Sequence, residues 1–213
     1  MGVPLQSGLR ERKKQQTRTT LVAAALDLVD RQGYERTTVE QIAEAAEVSP
    51  RTVAHYFPSK DLMLLSLLDT FTDAVNDELA TVPLDTPPLH ALLTANITML
   101  DKAARGEGTM TAARVGVLLR IVNLARSLQL STIRLRSTAT ADVLARRIGT
   151  APDDPTVALI AAVWASVTAT AWQSMSMNET LDQTAVEDLP DFMSRTLTET
   201  FNDLVDLTVD LRK

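Results

Sequence analysis

The sequence predicts an all-α protein, and three observations lead there. Ala, Leu and Thr are abundant while aromatic residues make up only 4% of the 213 residues. Apolar residues recur at spacings of three and four, with few β-branched runs at period two. Ser, Thr, Asp and Pro stand where such segments begin, and Gly stands where several end. Hydrophobic content of 45% and charged content of 23% are those of an ordinary globular protein. The length allows one large domain, or a small domain joined to a larger one.

The elements follow in order. From about Thr17, TRTTLVAAALDLVDRQG places Leu21, Ala24, Ala25 and Leu28 on one helical face and ends at Gly33. In TTVEQIAEAAE, Thr38 and Gln41 form a capping box ahead of a helix that buries Val39, Ile42, Ala43 and Ala46. A third helix starts at Ser49-Pro50 and is stopped within two turns by Pro58. Glu47, Val48 and Ser49 join the second helix to the third, which is helix-turn-helix spacing. Ser59 caps a long helix running through DLMLLSLLDTFTDAVNDELA. Thr86 caps the next, LHALLTANITMLDKAARG, and TMTAARVGVLLRIVNLARS reads as a central buried helix. LQLSTIRLRSTATADVLARRIG is amphipathic, Asp153-Asp154-Pro155 opens an alanine-rich helix, and a last helix spans about Pro190 to Leu211. The domain boundary falls between residues 58 and 59, giving units 1–58 and 59–213.

The absence of Cys excludes disulfides, thiolate metal sites and a Cys nucleophile. The N-terminus has charge without an apolar run behind it, and the longest apolar stretches are interrupted before the roughly 18 residues a membrane span needs. A cytoplasmic protein without a membrane partner is expected. The net charge of −6 is unevenly placed. Residues 1–60 hold nine Lys and Arg against seven Asp and Glu, and residues 61–213 hold twelve against twenty. Within the first twenty residues Arg10, Arg12, Lys13, Lys14 and Arg18 face only Glu11. A basic arm on an acidic body suits a protein that touches a polyanion with one end; a solvated tail is the plainer reading of the same run.

The third helix is about 10 Å long, comparable to the width of the DNA major groove. Val53 and Phe57 anchor it, leaving Arg51, Thr52, Ala54, His55 and Tyr56 on other faces. Arg51 can donate to guanine O6 and N7, while Thr52 or Ala54 can meet a thymine methyl. His55, Tyr56 and Lys60, with Thr37 or Thr38, can hold phosphates, and Arg18 belongs to the arm that adds further phosphate or minor-groove contacts. A short helix can also be a mere connection, but helix-turn-helix spacing beside a basic arm favours double-stranded DNA as the partner.

These residues carry a resemblance. GYERTTVEQIAEAA, VSPRTV and YFPSKDL, within residues 12–67, resemble the DNA-binding domain of the tetracycline-repressor family. The resemblance covers about a quarter of the chain. It implies an all-α homodimeric transcription regulator with a C-terminal domain that binds a small-molecule effector and dimerises. By position it sets Arg51, Thr52 and His55 against bases and Thr38, Tyr56 and Lys60 against phosphates. Two residues depart from the family pattern: Glu47 stands where Gly is usual, and Ala54 where an aromatic is common.

For the body, Asn96 lies mid-face on the helix with Leu92, Leu93 and Leu100, and a buried amide needs a partner: a side chain, or a ligand. Trp164, Thr168, Met175 and the flanking Trp172 are further candidates to line a cavity, or plain core, and Arg114 is a candidate for an acidic ligand group or an ion pair. The abundance of Leu, Ala and Thr suits a mostly apolar ligand. Ala158, Ala162 and Ala165 form a stripe of small residues, and Met193, Leu197, Leu204, Leu207 and Leu211 form a seam. Either pattern serves an intramolecular core or, as the resemblance implies, a dimer interface. An enzyme is disfavoured: His55 and His90 are the only histidines, and no Gly-rich phosphate loop, HExxH or GxSxG motif occurs, so no catalytic, metal or cofactor residues are assigned. Two readings remain, a repressor released by an apolar ligand from a roughly palindromic operator, and a dimeric DNA-binding regulator without a physiological ligand.

Overall fold

The computed structural model describes residues 5–64, 66–127, 138–176 and 184–210, which divide into two compact units, Met1–Ser66 and Leu67–Lys213. Every regular element among the described residues is helical.

The first unit holds α1 (Leu5–Gln32), α2 (Val39–Ala45), α3 (Pro50–Tyr56) and α4 (Lys60–Leu64). Its core is Leu21, Ala25, Leu26, Val29, Ile42, Ala43, Val53, Phe57, Met63 and Leu64. On α1 the buried face is rotated from the expected one: Leu26 and Val29 are buried while Ala24 and Leu28 are half-buried. The helix also begins about twelve residues earlier than its apolar periodicity suggests, because the basic arm is helical from Leu5. Polar residues with straight side chains favour helix without a core to pack on, so periodicity alone missed it.

The turn between α2 and α3 answers the question raised by Glu47. Its φ is 55°, so the left-handed conformation is kept without glycine. The Glu47 N–H donates to Glu44 O (3.0 Å) and the Val48 N–H to Ala43 O (2.9 Å), the two bonds of a Schellman motif. A left-handed non-glycine residue costs about 1–2 kcal/mol, partly offset by its smaller backbone entropy loss relative to Gly. Glu47→Gly is therefore expected to stabilise the unit by about 1 kcal/mol, read as a higher urea midpoint at unchanged m-value.

The second unit holds α5 (Leu67–Thr81), α6 (Pro88–Ala104), α7 (Ala112–Ser127), α8 (Thr138–Ile148), α9 (Pro155–Ser176) and α10 (Leu189–Asp210). The helix expected to run unbroken from Ser59 is two helices: Ser66 lies in a turn, where its hydroxyl donates to Met63 O (3.1 Å). Such a side-chain bond competes with the helical backbone pattern. Thr86 does not cap α6; Pro87 occupies the N-cap position without a side-chain bond, and Pro88 is the first helical residue. Residues 128–137 of the expected amphipathic helix, and Leu211 of the seam, lie outside the described residues.

Asp154 starts α9 as anticipated. Its carboxylate accepts from the Thr156 N–H (2.7 Å) and the Thr150 hydroxyl (2.8 Å), and these bonds hold it below the usual carboxylate range. α6 packs against α5 and α10, and α9 against α10, α8 and α7. One expectation is overturned here. α9 is long and apolar enough to cross a membrane by length and composition, because the Thr and Ser that interrupt it carry no charge; only 22% of it is buried.

Arg147, at the end of α8, forms a clasp the sequence did not announce. Its Nη1 donates to Pro83 O (2.6 Å) and Thr86 O (3.4 Å), and its Nη2 to Leu79 O (3.0 Å) and Val82 O (2.8 Å). The guanidinium thus satisfies carbonyls at the C-terminus of α5 and in the loop after it, where the helix dipole favours a cation.

Candidate nucleic-acid interface

The candidate surface is built from α3 outward. Ser49 caps the helix: its hydroxyl oxygen accepts from the Thr52 N–H (3.1 Å), and Pro50 occupies the first turn, where no N–H is needed. Val53 and Phe57 are buried, 1% and 3% exposed, and fasten the helix to the unit. Arg51, Ala54 and His55 are exposed on the remaining face. No hydrogen bond or ion pair holds the Arg51 side chain among the described residues, so its fork of donors is available. Ala54 leaves room beside it that an aromatic would fill.

Thr52 is half-buried, and its hydroxyl lies 2.9 Å from that of Ser49, which ties it to the cap. Tyr56 is half-buried with its ring edge-on to His55, centroids 5.4 Å apart. Thr38 forms the full capping box of α2: its oxygen accepts from the Gln41 N–H (3.3 Å) and its N–H donates to Gln41 Oε1 (3.0 Å). Gln32 also donates to Gln41 Oε1 (2.9 Å), so the end of α1 fixes the start of α2. Thr38 remains exposed at a helix N-terminus, an anion-favouring position, whereas the alternative, Thr37, is 1% exposed and donates to Gly33 O (2.9 Å).

Lys60 makes contacts that the sequence does not announce. Its ammonium donates to Tyr34 O and Thr37 O, both at 2.8 Å, and lies 3.8 Å from the Tyr34 ring centroid. The Tyr34 hydroxyl in turn donates to the Asp61 carboxylate. Two of the three ammonium protons are thereby held inside the unit, where they lock the loop between α1 and α2. Arg18, by contrast, is exposed on α1 and its guanidinium stacks 4.3 Å above the Phe57 ring, at the C-terminal end of α3.

In the second unit the residues singled out for a ligand are mostly packed. Asn96 is 2% exposed, and its amide donates to Leu92 O one turn back (2.8 Å). One of its two N–H donors is thus satisfied within its own helix, an outcome that face periodicity alone does not show. Leu100, Trp164 and Met175 are core residues, with Trp164 against Phe201. Thr168 donates to Trp164 O (3.1 Å), and Arg114 donates to Thr109 O (2.7 Å). Trp172 packs edge-on to Phe71, and its buried indole N–H has no acceptor among the described residues.

An open groove of about 700 Å³ lies elsewhere, lined from α5 by Asp73, Asn76 and Asp77 and from α8 by Asp142 and Arg146. None of the residues proposed from the sequence lines it. The missed signal was a pair of aspartates one turn apart on a helix read only for its apolar face.

The dimer candidates divide. Met193 and Leu197 are each 1% exposed and belong to the chain's own core, because α10 turns them toward α6 and α9. Ala158 and Ala162 are exposed, Ala165 and Leu204 half-buried. Around them Leu159, Val205, Leu207 and Val209 are exposed large apolar residues on the same two packed helices.

Comparisons with known proteins agree with this anatomy. Residues 21–67 match the family model "Bacterial regulatory proteins, tetR family", and residues 86–202, more than half of the chain, match "MftR C-terminal domain". The chain is 43% identical over 100 residues to the HTH-type transcriptional regulator TcmR of Streptomyces glaucescens, a match spanning 47% of this chain and 44% of that protein. It is 34% identical over 86 residues to the HTH-type transcriptional regulator RutR of Escherichia coli (strain K12), spanning 40% and 41%. The match thus spans less than half the length of either relative. FadR of Thermus thermophilus, a TetR family transcriptional repressor solved in complex with lauroyl-CoA, shares the fold with a TM-score of 0.52 at 19% identity, over 86% of this chain and 94% of that one. With the first unit matching the tetR family model and the second matched over most of its length by a C-terminal domain model of the same family, the chain belongs to the tetR family of bacterial transcriptional regulators.

Proposed function

We propose that the protein is a homodimeric repressor that reads a roughly palindromic operator with α3 and leaves it when a mostly apolar small molecule binds the second unit. One observation carries the DNA-reading half: Val53 and Phe57 anchor α3 while Arg51, Ala54 and His55 stand exposed beside them. The outward apolar residues of α9 and α10 support self-association, since a helix as apolar as α9 and so little buried favours a partner surface. A two-fold dimer would set its recognition helices about 34–36 Å apart, one DNA turn. The reading places the protein in the cytoplasm, as a regulator rather than an enzyme.

The ligand half has a rival in a regulator whose body only dimerises. The Asn96 to Leu92 bond, which satisfies one amide N–H, and the packed Trp164 and Met175 favour that rival, because they reduce the need for a ligand at those positions. The open groove between α5 and α8 leaves room for a small molecule, but its Asp73, Asp77 and Asp142 lining suits a cationic group rather than an apolar one.

The test is an anisotropy titration on DNA selected from a random pool by the wild-type protein, with scrambled DNA as control. Selective, saturable binding by two copies supports the regulator, and equal binding to both DNAs sinks it. Compounds are then screened for release. Arg51→Ala is expected to weaken the selected site by about 1–3 kcal/mol and relax preference at one base pair per half-site, leaving binding to scrambled DNA nearly unchanged.

A further inference from the structure

We infer that DNA binding is linked to proton uptake at His55: the side chain takes one proton from solvent as α3 seats in the groove, the imidazolium donates to a backbone phosphate, and affinity falls as pH rises. The inference rests on the DNA-reading role proposed for α3 and adds a pH response to it.

Three observations lead to it. First, His55 is exposed in the last turn of α3. The N-terminal residues of a recognition helix meet base edges. Arg51, in the first turn, is therefore the reader, and the last turn lies toward a phosphate strand rather than over the bases. Second, the ring is held in place without being neutralised. It packs edge-on to Tyr56, centroids 5.4 Å apart, and makes no hydrogen bond or ion pair among the described residues. Third, Arg51 and His55 are both exposed and four positions apart, the helical spacing at which two like charges repel.

The charged groups on the elements around α3 do not supply an anion for the ring. On α2 Glu40 and Glu44, and in the turn Glu47, are exposed, and none pairs with His55. Arg18 of α1 stacks on Phe57, the residue that closes α3, and so brings a cation to this end of the helix. On α4 the Lys60 ammonium donates to Tyr34 O and Thr37 O, and the Asp61 carboxylate accepts from the Tyr34 hydroxyl. A protonated His55 thus adds a third cation to Arg51 and Arg18 around one short helix. A phosphate strand supplies the anion they lack, and it favours the charged ring in the complex over the neutral one.

The sign follows from linkage. A group that holds its proton more tightly in the complex than in the free protein makes binding tight at low pH. That gain is lost as pH rises through the range where histidine changes charge, between pH 5 and 8. The chain has no Cys, and its other histidine, His90, lies on α6 of the second unit, edge-on to Phe201 with centroids 5.0 Å apart. Substituting each histidine in turn therefore separates the two.

The test is an anisotropy titration of the full-length protein between about pH 6 and about pH 8 at fixed ionic strength. It uses the DNA selected by wild type and scrambled DNA, with melting followed at each pH. Wild-type affinity should fall by about tenfold or more across the range, since each proton taken up contributes up to about tenfold per pH unit. Both DNAs should respond alike, because a phosphate contact carries no sequence information. His55→Gln should bind at the weak, high-pH level throughout, and His55→Arg, a fixed cation, close to the tight level throughout. His90→Gln should keep the wild-type curve. A wild-type curve in His55→Gln would overturn the inference, because the proton then goes elsewhere. A flat wild-type curve also overturns it, and leaves the DNA-reading role intact if Arg51→Ala still relaxes base preference. So does a changed base preference in His55→Gln without any pH response, which makes the neutral ring a base reader. Failure of the wild type to select a site at any pH removes both the inference and the reading beneath it.

Discussion

Arg147→Ala is expected to destabilise the second unit by about 3–5 kcal/mol, the largest effect of any single substitution considered for this protein. The side chain is 9% exposed and reaches four backbone carbonyls. Hydrogen bonds to a charged donor contribute about 1.5–3 kcal/mol each in favourable settings, and their loss here leaves acceptors at a helix end with no replacement donor. The clasp is imperfect, since the Arg147 Nε–H is buried without an acceptor among the described residues. That cost places the expected figure below the sum of four strong bonds. In a unit of this size, losses of that order lower the melting temperature by roughly 10 °C. Arg147→Lys should fall between the two, because one ammonium cannot reach four carbonyls at once. Thermal unfolding followed by circular dichroism decides the matter: a melting temperature within about 2 °C of wild type for Arg147→Ala would mean that water replaces the guanidinium without penalty.

Lys60→Met should cost about 2–3 kcal/mol, from two charge-assisted hydrogen bonds and the cation–π contact with Tyr34, discounted because the residue is only half-buried. The loss falls on the loop that leads into Thr38 and the capping box of α2. DNA affinity should therefore drop with rising temperature as the reading unit loosens. At low temperature, where the unit stays folded, the salt slope should match wild type. A slope lowered by about one, without loss of stability, would return Lys60 to a phosphate contact.

These two residues mark the limit of what could be read from the chain. The helices, the caps at Thr38 and Ser49 and the split of α3 into anchors and exposed residues were legible, because capping and 3.6-residue periodicity act within a few residues. Lys60 and Arg147 were not. Their partners lie 23 to 68 positions away and are backbone carbonyls, which carry no residue identity to search for. Asn96 illustrates a different blindness: burial was foreseen, but an amide that bonds its own helix looks, in sequence, like one awaiting a ligand. The extension of α1 was hidden because a helix with no apolar face leaves no periodic trace.

Glu47 holds the turn ahead of α3 in a left-handed conformation, and it is exposed. With α3 reading DNA as proposed, this carboxylate adds a negative charge just ahead of the helix that meets the phosphates. Removing it, as in Glu47→Gln, is then expected to raise affinity for scrambled DNA more than for the selected site, and so to lengthen the time spent on random DNA.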